Sequence, residues 1–164
     1  MDPKPQTLNQ VQGLPVALSG RDMIGIAFTG SGKTLVFSLP MIMIALEQEC
    51  KIPVVPGEGP FGLCINPSRE LARQTHDVVI EHCEALANGG FPMLKTLIAM
   101  GGIDMREQQH MLNTGCHMCV ATPGRCENVF LVPSAAHKPL IMGPTPGWWT
   151  CLGRRRFASQ YASS

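Results

Sequence analysis

Ala27-Phe28-Thr29-Gly30-Ser31-Gly32-Lys33-Thr34 is the stretch on which the reading of this chain turns. Residues 22–27 before it have the composition of a strand. Residues 33–49 after it read as a helix, apolar almost all round and carrying Pro40. A glycine-rich turn between strand and helix is the setting of a phosphate-binding loop. Small residues let successive backbone N–H groups turn inward around an anion, and the helix N-terminus adds unsatisfied N–H groups and partial positive charge. Lys33 would then reach the outer phosphates, and the Thr34 hydroxyl a phosphate-bound magnesium ion. The usual pattern, G-x-x-x-x-G-K-[ST], opens on Gly where this chain has Ala27. A plain glycine turn followed by Lys-Thr is the competing reading, and the strand and helix on either side favour the phosphate loop.

Outward from the loop, buried-strand runs alternate with helical ones. Residues 61–66, 94–100 and 116–122 read as strands, the second ended by Gly101-Gly102. Residues 68–88 read as a long helix with Leu71, Val78, Val79, His82 and Leu86 on one stripe. Asp104-Met-Arg-Glu107 looks like a capping box opening a helix that stops at Gly115. This alternation predicts an α/β fold, a parallel sheet flanked by helices, over residues 1–125. Residues 126–164 differ: they hold five of the nine aromatic residues, one acid, and no sustained period of 2 or 3.6. A poorly ordered tail is expected there, with Arg154-Arg155-Arg156 a short basic run.

The 164 residues are the usual size of one domain, able to bury roughly 70% of its unfolded surface. Net charge is +1, so no global basic field announces nucleic acid or an anionic membrane. That +1 divides into −2 over residues 1–125 and +3 over residues 126–164. The longest apolar stretch, from Leu35 to Leu46, is broken by Ser38 and Pro40 and falls short of the ~20 residues of a membrane span. With no basic-then-apolar leader, an intracellular location, nuclear or cytoplasmic, is expected. Seven irregularly spaced cysteines do not form an even disulfide framework. The lone Cys116-His117-Met118-Cys119 lacks the second pair a structural zinc needs.

Four further strings carry a family resemblance. The loop at 27–34 resembles motif I of the DEAD-box RNA helicases, which tolerate Ala in first place. Pro67-Ser68-Arg69-Glu70-Leu71-Ala72-Arg73-Gln74 is similar to their motif Ia, Gly101-Gly102 to their GG motif, and Thr122-Pro123-Gly124-Arg125 to motif Ib. Order and spacing agree. Thr7-Leu8-Asn9-Gln10 resembles their Q motif, with Leu8 in place of the usual Pro. Within the family, the run from Leu18 to Phe37 is similar to the Abstrakt-like branch.

The resemblance implies that residues 1–125 form part of an N-terminal RecA-like ATP-binding domain. ATP or ADP with magnesium would be the cofactor. Gln10 would meet the adenine edge, Thr7 would support the loop, and Ala27, Phe28, Thr29, Gly30, Ser31, Gly32, Lys33 and Thr34 would hold the phosphates, with Thr34 the metal contact. Pro67, Arg69, Glu70, Gly101, Gly102, Thr122, Pro123, Gly124 and Arg125 would grip single-stranded RNA by its backbone, which carries no sequence code. No membrane partner is implied. A few loop donors rather than a basic face would reconcile RNA contact with near-zero charge.

The family's Asp-Glu-Ala-Asp, expected a few tens of residues after motif Ib, is not in the sequence. After Arg125 the one acid is Glu127, and Ser134-Ala135-Ala136 is not the family's Ser-Ala-Thr. The expectation is a domain truncated before its acidic pair, its sheet incomplete with an open edge, and its hydrolysis and unwinding lost. No catalytic residue is assigned. The alternative is a non-enzymatic product of a frame-shifted or alternatively spliced helicase gene copy, with at most an interaction role. A small P-loop kinase would give no reason for residues 67–74 or 122–125.

Overall fold

A computed structural model describes residues 6–130, 140–145 and 148–152, with backbone alone from 127 onward. In chain order the elements are α1 (Leu8–Leu18), β1 (Met23–Ile26), α2 (Lys33–Lys51), β2 (Gly62–Ile65), α3 (Arg69–Asn88), β3 (Thr96–Ala99), α4 (Met105–Asn113), β4 (Met118–Ala121), α5 (Pro123–Phe130), β5 (Leu140–Thr145) and β6 (Trp148–Leu152). The strand order is β1-β6-β5-β2-β4-β3. β2 runs parallel to β4 and β5, and β3 parallel to β4; β6 is antiparallel to both β5 and β1.

Alternation along the strands sorts the core into two layers. Cys64, Met118 and Val120 face Val36, Phe37, Met41, Ile42 and Ala45 of α2 and Ala72, Val79 and Cys83 of α3. Leu63, Cys119 and Ala121 face the other way, with Leu97, Ala99, Cys116 and Cys126, and Leu112 of α4 packs on them. All four residues of β4 are buried, because it lies between two strands and is covered on both faces. Burial pushes the thiols of Cys64 and Cys116 up to about 12, so both are packing groups and not thiolates.

The α/β fold and its parallel core agree with the sequence pattern, and the details differ at four places. α3 buries Ala72, Thr75, Val79 and Cys83, while Leu71 is 41% exposed. Of the expected stripe, Val79 is buried and Leu86 packs against the core, while Leu71 lies off it. Asp104 caps α4 through the Arg106 N–H at 3.0 Å, a bond to the second residue after it instead of the third. α1 and α5 lie outside the helices expected from the sequence and are marked at their starts: the Thr7 N–H donates to Gln10 Oε1, and Pro123 stands at the first position of α5. Of the segment expected to be a tail, residues 140–145 and 148–152 are strands of the sheet. They pair antiparallel with each other and join the sheet through β1 and β2, far away in sequence, which no local period announces. Residues 131–139, 146–147 and 153–164, including the Arg154–Arg156 run, lie outside the described residues.

One buried polar junction ties the layers together. The Lys95 N–H donates to His117 Nδ1 at 2.8 Å, so Nε2 carries the proton and donates to Glu49 Oε2, also at 2.8 Å. Val54 N–H donates to the same carboxylate oxygen at 2.8 Å. The bond from His117 holds the Glu49 carboxyl below its ordinary value of 4.5 against the opposing pull of partial burial. A depressed carboxylate stabilises the fold above its unfolded value and loses that contribution as pH falls through the folded one. Glu49→Gln keeps an oxygen acceptor and removes the titration. Urea midpoints measured downward from pH 4.5 should therefore fall less steeply for Glu49→Gln than for the wild type; parallel slopes would refute this.

Candidate functional site

The loops leaving β1, β2, β3 and β4 all emerge at one end of the sheet. β2, β3 and β4 are mutually parallel, and β1, antiparallel to β6, runs with β5 and therefore with β2. Ligands of open α/β sheets bind outside these carboxyl ends. The sequence motifs fall there together.

After Ile26 the chain turns through residues 27–32 and enters α2 at Lys33. Gly32, the residue before the helix, has φ +80°, which favours glycine, and it offers no side-chain oxygen to the first N–H groups of α2. Ser31 closes the turn with its N–H on the Phe28 carbonyl at 3.3 Å. The Lys33 ammonium crosses the loop, donating to the Ala27 carbonyl at 2.6 Å and the Phe28 carbonyl at 2.9 Å. Phe28 itself points outward, 90% exposed. Glycine backbone, free helix start and ammonium together fit a phosphate group. For magnesium the loop offers the Thr34 hydroxyl, and among the described residues no group of three His, Cys, Asp or Glu could hold a metal. A magnesium ion here would be held mainly by phosphate oxygens and water.

α1 braces this loop. The Thr7 hydroxyl donates to the Ser31 carbonyl at 2.9 Å. Gln10 uses Oε1 on the Thr7 N–H, and its Nε2 lies against Gly32, where a Cβ would come within 2.6 Å of it. The structure thus places Gln10 between the start of α1 and the phosphate loop.

The second cluster joins three motifs. A Cβ on Gly101 would lie 2.9 Å from Arg69 Nη2 and one on Gly102 3.6 Å from Nη1, so the guanidinium of Arg69 rests over the glycine pair. Arg125 donates from Nε to the Met100 carbonyl at 3.3 Å and from Nη2 to the Ile103 carbonyl at 2.9 Å, clasping both flanks of the same turn. Thr122 reaches it through the backbone, its N–H on the Ala99 carbonyl at 3.0 Å. Pro67, Glu70, Pro123 and Gly124 are exposed around this turn. Two residues of the site escaped the sequence reading. Gln108 of α4 is 1% exposed and donates to the Met100 carbonyl at 3.0 Å; a polar residue inside a short helix gave no sign of it. Asn9, which donates to the Ser31 carbonyl at 3.2 Å, lay in view between Thr7 and Gln10.

A glycine loop at the start of the helix after the first strand of a parallel α/β sheet defines the P-loop class of nucleotide-binding folds. The model of the DEAD/DEAH box helicase family matches residues 7–141, and the chain belongs to that family. It is 68% identical over 117 residues to the probable ATP-dependent RNA helicase ddx41 of Dictyostelium discoideum, covering 71% of this chain and 17% of that protein. It is 56% identical over 116 residues to the ATP-dependent RNA helicase abstrakt of Drosophila melanogaster, covering 71% and 19%. Among solved structures, the yeast DEAD-box splicing factor Prp28 superposes with a TM-score of 0.56 at 29% identity, over 70% of this chain and 25% of that one. A hypothetical ATP-dependent RNA helicase from Sulfolobus tokodaii gives 0.60 at 27%, over 80% and 33%. The chain spans about a fifth of the length of the two curated relatives. No helix among the described residues is long and apolar enough to cross a membrane.

Proposed function

We propose that this chain binds an adenine nucleotide on the loop at residues 27–34 and holds the backbone of single-stranded RNA across residues 67–70, 101–102 and 122–125, without turning the nucleotide over. One observation carries the reading: the Lys33 ammonium already sits inside the loop on two neutral carbonyls, at the start of α2. A phosphate arriving there gives that cation a charged partner, and such bonds are roughly twice as strong as neutral ones. Gln10 meets the adenine edge, and Thr34 holds magnesium beside the phosphates. Bound magnesium would neutralise phosphate charge. Arg69 and the backbone around Gly101 and Gly102 meet the RNA phosphates, and Arg125 keeps that turn in shape.

Turnover is left out because β5, next to β2, carries no carboxylate along Leu140–Thr145 to place a metal or an attacking water. Titration with a fluorescent ADP analogue tests the reading. Saturable binding is expected, weakened at least about tenfold by Lys33→Ala, or ~1.4 kcal/mol. Equal binding by the two proteins would overturn it.

A second reading, a product of a frame-shifted or alternatively spliced helicase gene copy with an interaction role, is favoured by one feature. The 68% identity covers 117 residues, while residues 126–164 hold one acid and no Asp-Glu-Ala-Asp. Translation of the underlying nucleotide sequence past codon 125 in the other two frames should then yield that motif. Its absence from both frames would exclude a frameshift.

A further inference from the structure

We propose that Asn9 is a positioning residue of the phosphate loop, fixing the peptide between Ser31 and Gly32 so that the Gly32 N–H serves the anion. The inference rests on the nucleotide-binding reading and adds to it a residue that the motifs leave unassigned.

Asn9 lies in the first turn of α1, where an Asn side chain usually turns back on its own helix. Here it points out of the helix, and Nδ2 donates to the Ser31 carbonyl across 22 residues of sequence. The Thr7 hydroxyl donates to the same oxygen. A carbonyl oxygen has two lone pairs, so these two donors fill it from the α1 side. In a planar trans peptide the C=O and the following N–H point in opposite directions. Holding the Ser31 oxygen toward α1 therefore turns the Gly32 N–H away from α1. That orientation needs holding because Gly32 is glycine. A Cβ there would come within 2.6 Å of Gln10 Nε2 and 2.8 Å of Thr7 Oγ1, so a side chain cannot restrict the position. Glycine also crosses between backbone regions more readily than other residues. A flip of the 31–32 peptide would present a carbonyl oxygen where the anion needs a donor. With Thr7 alone, one lone pair of the Ser31 oxygen is free and the flip is opposed by one bond; Asn9 supplies the second.

The test is binding of fluorescent ADP and of inorganic pyrophosphate to the wild type, Asn9→Leu and Lys33→Ala. Leucine keeps the branched outline and heavy-atom count of the asparagine side chain and removes the donor. Asn9→Leu should weaken both ligands by about fivefold, the scale of one lost hydrogen bond. A small fall in its urea midpoint without ligand is expected of any lost bond between α1 and the loop. Affinity is therefore measured well below that midpoint, where the variant is folded: a merely structural Asn9 would leave both affinities at the wild-type value, and this result overturns the proposal. Wild-type binding that Lys33→Ala leaves unchanged, or no binding at all, fells the nucleotide reading and the role of Asn9 with it. An effect of Lys33→Ala without one of Asn9→Leu fells the role of Asn9 alone.

Discussion

Phe37→Ala should cost about 3–5 kcal/mol of folding stability, while Phe28→Ala, nine residues earlier, should change it by less than about 0.5 kcal/mol. The two residues have the same side chain and opposite surroundings. Phe37 is 2% exposed on α2, in the layer where Met41, Ile42, Cys64, Val79, Met118 and Val120 meet. Truncating it removes the transfer energy of the ring and leaves a cavity that α2 and the sheet cannot fully close. Phe28 lies at the loop mouth in water and has little burial to lose. A single domain has roughly 5–15 kcal/mol in total, so Phe37→Ala takes a large share of it. Urea midpoints read the contrast: with a slope of about 1–3 kcal/mol per molar, the Phe37 variant should move by a molar unit or more. Comparable midpoints for the two variants would contradict the packing described above.

The second large effect is expected at His117. His117→Leu fills a similar space and removes two bonds at once, leaving the Lys95 N–H without its acceptor and the Glu49 carboxylate with the Val54 N–H but not the imidazole. Each partly or fully buried group left unpaired costs about 1–3 kcal/mol, and His117 itself is 1% exposed, so a loss of about 2–4 kcal/mol is expected. A double-mutant cycle separates the pair from simple misfit. Glu49→Leu combined with His117→Leu should cost less than the two single changes added, because the bond between the two side chains is lost once in the double variant and counted twice in the sum. Strict additivity would mean that the two side chains do not act on each other. The junction lies away from the phosphate loop, so fluorescent-ADP affinity is expected to survive in whatever fraction of His117→Leu remains folded.

Much of this protein was legible in the chain because its signals are local. β1 to β4 are short apolar runs that need no distant partner to be recognised; α2 is a long apolar run opened by the loop, and α3 is long enough to carry its own period. The phosphate loop was legible for the same reason: Gly30, Gly32 and Lys33 act through the backbone geometry of a few consecutive residues. The class of fold was thus determined by sequence alone, and the loop was marked by it as the place to look for a phosphate.

What tertiary structure decided are relations between distant segments. Arg69, Gly101-Gly102 and Arg125 are separate strings in sequence; parallel pairing of β2, β3 and β4 brings their loops to one end of the sheet. The partnership of Glu49 with His117 spans 68 residues, and neither neighbourhood hints at the other. β5 and β6 pair with each other and join the sheet through β2 and β1, so their place in the sheet follows from pairing and not from pattern. Backbone hydrogen bonds between strands are indifferent to side-chain identity, and this is the physical reason such pairings cannot be read along the chain.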